Sequence, residues 1–146
     1  MWLWGDRFLD GEATGIGKWE ASLNQTAPAL RMIPKDVVIC DWHYESAHPT
    51  ASYFALEGFP VVSSPWRKTS VALRQLDAIH AARRGAAPAV AARMLGMLQT
   101  TWCGLGRFAK GYFGEDTSDA RAMEAVNCFR ELFRELRATS PAVPAR

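Results

Sequence analysis

Residues 36–45 read Asp36-Val37-Val38-Ile39-Cys40-Asp41-Trp42-His43-Tyr44-Glu45, a short and nearly continuous apolar run that ends on a tryptophan among polar groups. Unbroken apolarity over so few residues is the mark of a parallel strand covered on both faces. The pattern recurs three times. Met1–Gly5 leads into Trp4-Gly5-Asp6, Pro60–Ser64 into Pro65-Trp66-Arg67, and Leu95–Trp102 ends in Thr101-Trp102-Cys103. Parallel strands gather their exits at one end of a sheet. Flat indoles gathered there can stack on the C–H faces of a sugar while neighbouring polar groups bind its hydroxyls. Any one of these tryptophans also fits ordinary core packing, because buried aromatics carry so much of a core's apolar area.

Helical patterns fill the intervals. Thr26 is expected to cap a short helix through Met32, with Pro28 tolerated in its first turn and Pro34 ending it. A second helix is expected from Thr50 to Leu56, stopping at Gly58. Ser70 opens a third, in which Leu73, Leu76, Ile79 and His80 share a face and Gly85 closes the run. An alanine-rich turn follows from Pro88 to Met94, and His80 reads as a satisfied core histidine. From Ser118 to Arg137 the residues Ala122, Val126, Phe129, Phe133 and Leu136 form one apolar stripe, too short for a coiled coil and suited to packing on a sheet.

A chain of 146 residues that is 49% hydrophobic can bury one core. We assign that domain to residues 1–137 and read 138–146, with Pro141 and Pro144, as a mobile tail. Seventeen Lys and Arg against fifteen Asp and Glu leave a dispersed net charge of +2, so nucleic acid is not an expected partner. No stretch approaches the roughly 20 apolar residues of a membrane span, and the opening residues do not resemble a signal peptide. The three cysteines, Cys40, Cys103 and Cys128, form no CxxC pair and read as core thiols. Gly11, Gly15 and Gly17 lack the order of a dinucleotide fingerprint, and there is no GxSxG elbow. They read as a flexible loop on the substrate side, and Gly104 to Gly114 as a second loop after the last strand. No cofactor is implied.

Four strand–helix units in series imply a parallel α/β fold with right-handed crossovers. An open doubly wound sheet would carry its site at a topological switch point, whereas a (β/α)8 barrel collects groups from the ends of all its strands. Decoration of every strand exit favours the barrel. A complete barrel needs roughly 250 residues, so the chain reads as its C-terminal half.

The ordered set Met1-Trp2-Leu3-Trp4-Gly5-Asp6, residues 36–42, Phe59 to Trp66 and Gly96 to Trp102 resembles strands five to eight of the family 20 glycoside hydrolases, the β-N-acetylhexosaminidase type. The resemblance implies hydrolysis of terminal N-acetylhexosamine-like sugars. It makes Trp4, Trp42, Trp66 and Trp102 the walls of the sugar pocket and Asp6 a hydroxyl-binding or positioning carboxylate. It also implies an Asp–Glu pair on strand four, in which the glutamic acid protonates the leaving oxygen and the aspartate orients the substrate's own acetamido group as nucleophile. Nothing in the chain matches that pair, so no catalytic residue is assigned within it. The implied partners are a carbohydrate and either the missing N-terminal half or a second copy of the chain.

The sequence departs from the family pattern in two places. Arg67-Lys68-Thr69 stands where a tyrosine and an aspartate commonly follow the strand-seven motif, and Gly104 where a glutamate follows the strand-eight tryptophan. Glu45 or His43 could replace the lost hydroxyl ligand, with a shifted sugar preference. Two other readings stay open: a carbohydrate-binding module without catalysis, and a metal-assisted hydrolase using Asp41, His43 and Glu45, which alternate and would share one face of a regular strand. If Trp42 faces the barrel interior, that pleat turns Asp41 and His43 toward the helices. A strand that ends at Trp42 would instead free His43 onward as loop.

Overall fold

The computed structural model describes residues 1–139. Four strands, β1 (Trp2–Trp4), β2 (Val38–Asp41), β3 (Val61–Ser63) and β4 (Met94–Met97), form one all-parallel sheet whose spatial order is the chain order. Among the described residues five helices accompany it: α1 (Thr50–Leu56), α2 (Thr69–Gly85), α3 (Pro88–Ala91), α4 (Leu105–Phe113) and α5 (Ala120–Thr139). Two 3-10 turns, Asp6–Phe8 and Ala27–Arg31, lie between β1 and β2. The strand order never reverses, so the sheet has no topological switch point of the doubly wound kind. The α/β class is as expected, with a parallel sheet of four strands; the four strands do not themselves close a barrel.

Register explains the core. Leu3, Ile39, Val61 and Met94 stand side by side across the ladder. They pack in one cluster with Phe54 of α1, Ile79 of α2 and Val90 of α3. Trp2, Trp4 and Leu95, which alternate with them, are 56%, 43% and 46% exposed, so the two faces of the sheet are unlike. One face packs on helices; on the other Trp2 and Trp4 reach solvent at the β1 edge while Cys40 and Val62 beside them are buried.

The last strand differs from expectation. It begins at Met94 and leaves the sheet after Met97, short of Trp102. Gly96, at φ 132°, sits at an irregularity that skips Leu95 in the pairing with β3. Beyond it the Leu98 and Thr100 N–H groups still donate to Ser63 and Pro65 carbonyls at 2.9 Å. Pro65 has no N–H to return, and the ladder stops there.

The segment from Gly104 to Gly114 is helical where a loop was expected. Gly104 (φ 83°) and Gly114 (φ 78°) bound α4 in conformations that favour glycine. Inside it, a Cβ on Gly111 would lie 3.0 Å from Met123 Sδ, so the missing side chain lets α4 pack closely on α5. Helix α5 is capped by Asp119, whose Oδ1 accepts from Ala122 N–H at 3.0 Å. It buries Ala122 and Val126 of the expected stripe together with Ala125, Cys128 and Leu132, while Phe129, Phe133 and Leu136 are half-buried. It runs through Thr139, two residues into the expected tail; residues 140–146 of that tail lie outside the described residues.

Thr26 makes no side-chain cap, because its hydroxyl donates instead to the Arg7 carbonyl at 2.7 Å. His80 is half-buried; the fully buried histidine is His43. Cys40 and Cys128 are buried thiols, while Cys103 is partly exposed.

Candidate functional site

The strand exits converge on one cavity of about 590 Å³, within the usual range for small-molecule sites. Trp4 enters it from the end of β1, Trp42 from just past β2, Trp66 from beyond β3 and Trp102 from beyond β4. Asp6 and Glu45 line it as well, so six of the seven residues singled out from the sequence share its wall. His43 does not.

The aromatic rings are in mutual contact. Trp4 and Trp102 lie 6.2 Å apart between centroids, Trp42 and Tyr44 4.8 Å, and Tyr44 and Trp66 5.6 Å. Trp19 meets Trp42 edge-on at 6.0 Å. Tyr44 is the hub, since its hydroxyl accepts a hydrogen bond from Trp102 Nε1 and also contacts Thr100 Oγ1 at 3.3 Å. Gln99 Nε2 donates to the Trp66 carbonyl at 2.8 Å and to that of Ala125 at 2.9 Å, fastening the β3 exit to α5. Arg67 covers the Trp66 ring, its guanidinium carbon 4.9 Å from the centroid, and pairs with Glu124 of α5.

Polar groups rim the cavity. Asp6 pairs with Arg7 at 2.7 Å, Glu45 pairs with Lys68, and Arg121 enters from the start of α5. The Trp66 Nε1 is itself buried and has no acceptor among the described residues. Sequence reasoning missed Arg7, Trp19, Tyr44 and Arg121 as cavity residues. Tyr44 had a signal, because a residue two past Trp42 in extended backbone falls on the same side. Trp19 stands between Lys18 and Glu20 with no strand before it, and Arg121 is far along the chain; neither is placed by local pattern.

Directly behind the wall lies a buried ionic cluster. Glu20, Asp41, His43 and Thr50 are all nearly inaccessible to solvent. Thr50 Oγ1 donates its single hydrogen to Asp41 Oδ2 at 2.8 Å. The same oxygen must then accept from His43 Nε2, 2.7 Å away. On the other side of the ring, Nδ1 faces Glu20 Oε2 at 3.0 Å, and Glu20 Oε1 accepts the Tyr44 N–H at 2.7 Å. Both ring nitrogens therefore donate, and the ring is an imidazolium. Asp41 Oδ1 lies 3.2 Å from Nε2 without the alignment of a hydrogen bond and acts on the ring as a charge.

Burial opposes the charge on His43, but the Asp41 carboxylate and then that of Glu20 outweigh it, pushing the imidazole from 6.5 to about 9. Burial likewise raises the Glu20 carboxyl, yet the bonds from His43 and Tyr44 prevail and hold it below its ordinary 4.5. His48, stacked edge-on to His43 at 4.8 Å, is lowered by burial and then by the His43 charge.

The set Asp41, His43 and Glu45 does not come together. Strand β2 ends at Asp41, so His43 lies beyond it; both are buried, whereas Glu45 reaches the surface at Lys68. Among the described residues the converging metal-ligand types are Glu20, His43 and His48, with ligand atoms within 4.8 Å of one another. With both its nitrogens donating, His43 offers a metal no lone pair. No helix among the described residues is long and apolar enough to cross a membrane. No protein-family model matches the chain, and no curated protein is significantly similar to it.

Proposed function

We propose that the chain forms the sugar-binding wall of a glycoside hydrolase acting on terminal N-acetylhexosamine-like sugars, its four strand–helix units being half of a (β/α)8 barrel. The observation that carries this reading is the cavity lined by Trp4, Trp19, Trp42, Tyr44, Trp66 and Trp102 with Asp6 and Glu45 at its rim. Indole faces suit the apolar faces of a pyranose, while the rim carboxylates of Asp6 and Glu45 suit its hydroxyls. Two features support the barrel: a strand order without reversal and a site at the C-terminal ends of the strands. Among the described residues β1 and β4 each have an outer edge without a neighbour, which favours a partner along those edges.

In this reading the acid/base pair comes from the other half of the barrel. Asp6 and Glu45 are each held in an ion pair, so neither is set up as a free proton donor. The same observation favours, as a second reading, a carbohydrate-binding module without catalysis.

The test is titration of the chain with N-acetylglucosamine and its β-nitrophenyl glycoside, following the indole N–H resonances and nitrophenol release. Shifts at Trp42, Trp66 and Trp102 without release are expected. Unmoved indoles at millimolar sugar would remove the sugar-binding reading. Turnover by the chain alone, abolished by a substitution in the cavity, would remove the division of labour between two halves. Release that appears only when the remaining half of the barrel is co-expressed separates the enzyme from the non-catalytic module.

A further inference from the structure

Glu20 and His43 touch nothing inside the cavity, yet their hydrogen bonds end on the segments that carry its aromatics. Glu20 directly follows Trp19, and its carboxylate takes the Tyr44 N–H on one oxygen and the His43 ring on the other. His43 sits between Trp42 and Tyr44, and its carbonyl accepts from Gln75 Nε2 of α2 at 3.0 Å. Its second ring nitrogen reaches Thr50, the first residue of α1.

The segment that bears Trp19 is otherwise tied mainly to itself and to the turn after β1. Ser22 N–H donates to Leu9 at 2.9 Å, Gly11 N–H to Ser22 at 2.8 Å, and Thr26 to Arg7 at 2.7 Å. Gly15 and Gly17 turn through positive φ of 71° and 82°. Glu20 is the side chain that fastens this loop to the exit of β2.

We propose that the Glu20–His43 pair is an ionic latch that positions the cavity wall, holding Trp19 and Tyr44 in place so that sugar affinity depends on two residues the sugar does not touch. The proposal rests on the sugar-binding reading of the cavity.

The groups facing His43 are Glu20 from the loop, Asp41 from β2 and His48 from the segment before α1; α1 and α2 present the neutral Thr50 and Gln75. Two carboxylates against one ring keep it charged through neutral pH, and the latch is lost as pH rises through about 9. Burial pushes the Tyr44 phenol above its ordinary 10, so the hub of the wall stays protonated across that step.

The experiment titrates N-acetylglucosamine into the wild-type chain and into Glu20→Gln and His43→Gln, from pH 6 to 10. Tyrosine and indole resonances are recorded with and without sugar, and circular dichroism establishes folding. Glu20→Gln preserves the shape and an acceptor for Tyr44 N–H but removes the charge. It is expected to weaken binding at least about fivefold at pH 7 and to move the Trp19 and Tyr44 signals. Wild type is expected to lose affinity similarly above pH 9, with the step absent from Glu20→Gln. A folded Glu20→Gln that binds as tightly as wild type overturns the latch and leaves the sugar reading standing. If wild type binds no sugar, the sugar reading fails by itself and the latch is decided on the free protein. Trp19 and Tyr44 signals that follow both the substitution and the pH step support it; unmoved signals overturn it. Should His43→Gln not fold, the wild-type pH profile and Glu20→Gln still decide.

Discussion

The aromatic wall and the ionic cluster behind it invert the usual partition of residues in opposite ways. In the wall, large apolar side chains stand half in solvent: Trp4, Trp19 and Trp102 are 43%, 71% and 58% exposed. A few ångströms behind, two carboxylates and an imidazolium are almost fully buried. Exposed single apolar residues are common, but a contiguous aromatic patch and a buried unneutralised charge are the informative exceptions. The comparison separates two kinds of sensitivity. The cluster should govern how firmly the chain exits are folded and, through the Glu20–His43 latch, how the wall is held, while the wall's rings should make the contacts to what is bound.

The largest effect should come from breaking the cluster. His43→Ala leaves Glu20 and Asp41 both buried with their shared cation gone, and losing one member of a buried ion pair costs about 3–5 kcal/mol. Urea unfolding should show that loss. A cost under about 1 kcal/mol would mean that water reaches the cluster and that its buried character is overstated.

The pH dependence of stability probes the same place without a mutation. His43 titrates near 6.5 when unfolded and about 9 when folded, so its contribution is complete below pH 6.5 and is lost as pH rises to about 9. The raised value corresponds to about 3 kcal/mol. Glu20 has the opposite sign: its folded value lies below 4.5, so its contribution is present above pH 4.5 and is lost as pH falls through the folded value. The two contributions coexist between pH 4.5 and 6.5, while His48, lowered in the fold, disfavours folding as pH falls below 6.5. Thermal unfolding across pH 4 to 10 should show the alkaline decline in wild type and a flatter limb in His43→Gln.

The wall should behave in the reverse manner. Trp102→Ala removes an exposed ring and one hydrogen bond to Tyr44, and should change stability by about 1 kcal/mol or less. Its effect on sugar affinity should be about 2 kcal/mol, or about 30-fold. Trp19→Ala, on the more exposed ring that meets Trp42 by its edge, should weaken binding less. Calorimetric titration of both variants checks the order. If either destabilises as strongly as His43→Ala, the wall is core and the comparison collapses.

The two regions were unequally legible in the sequence. Trp4, Trp42, Trp66 and Trp102 of the wall were visible because they mark strand exits, and unbroken runs such as Val37 to Ile39 announce parallel strands; the exit of a parallel strand fixes where the next residue goes. The cluster was hidden. Alternation with Trp42 left Asp41 and His43 either on the helix side of a continuing strand or, for His43, in a loop, and their partners arrive from Glu20 in a glycine-rich loop and Thr50 at a helix start. No local pattern brings those together. Helix α4 was missed for a related reason: Gly106 and Gly111 argue against a helix locally, and only the close approach to Met123 on α5 accounts for the second of them.

The smallest effect on stability should come from Lys68→Met, and it sharpens the comparison where wall and surface meet. The Lys68–Glu45 pair has side chains 43% and 59% exposed, and an exposed pair of this kind contributes about 0–1 kcal/mol. Removing the lysine should leave the unfolding curve almost where it was. Glu45, however, is a cavity carboxylate whose oxygen is engaged by that lysine. Once released, it can turn to a sugar hydroxyl, so N-acetylglucosamine affinity should rise by a few-fold, within about 1 kcal/mol. A decrease would show that the pair holds Glu45 in its binding pose, and Lys68 would then belong to the wall. No change in affinity would take Glu45 out of the binding surface and leave Asp6 as the rim carboxylate for the sugar.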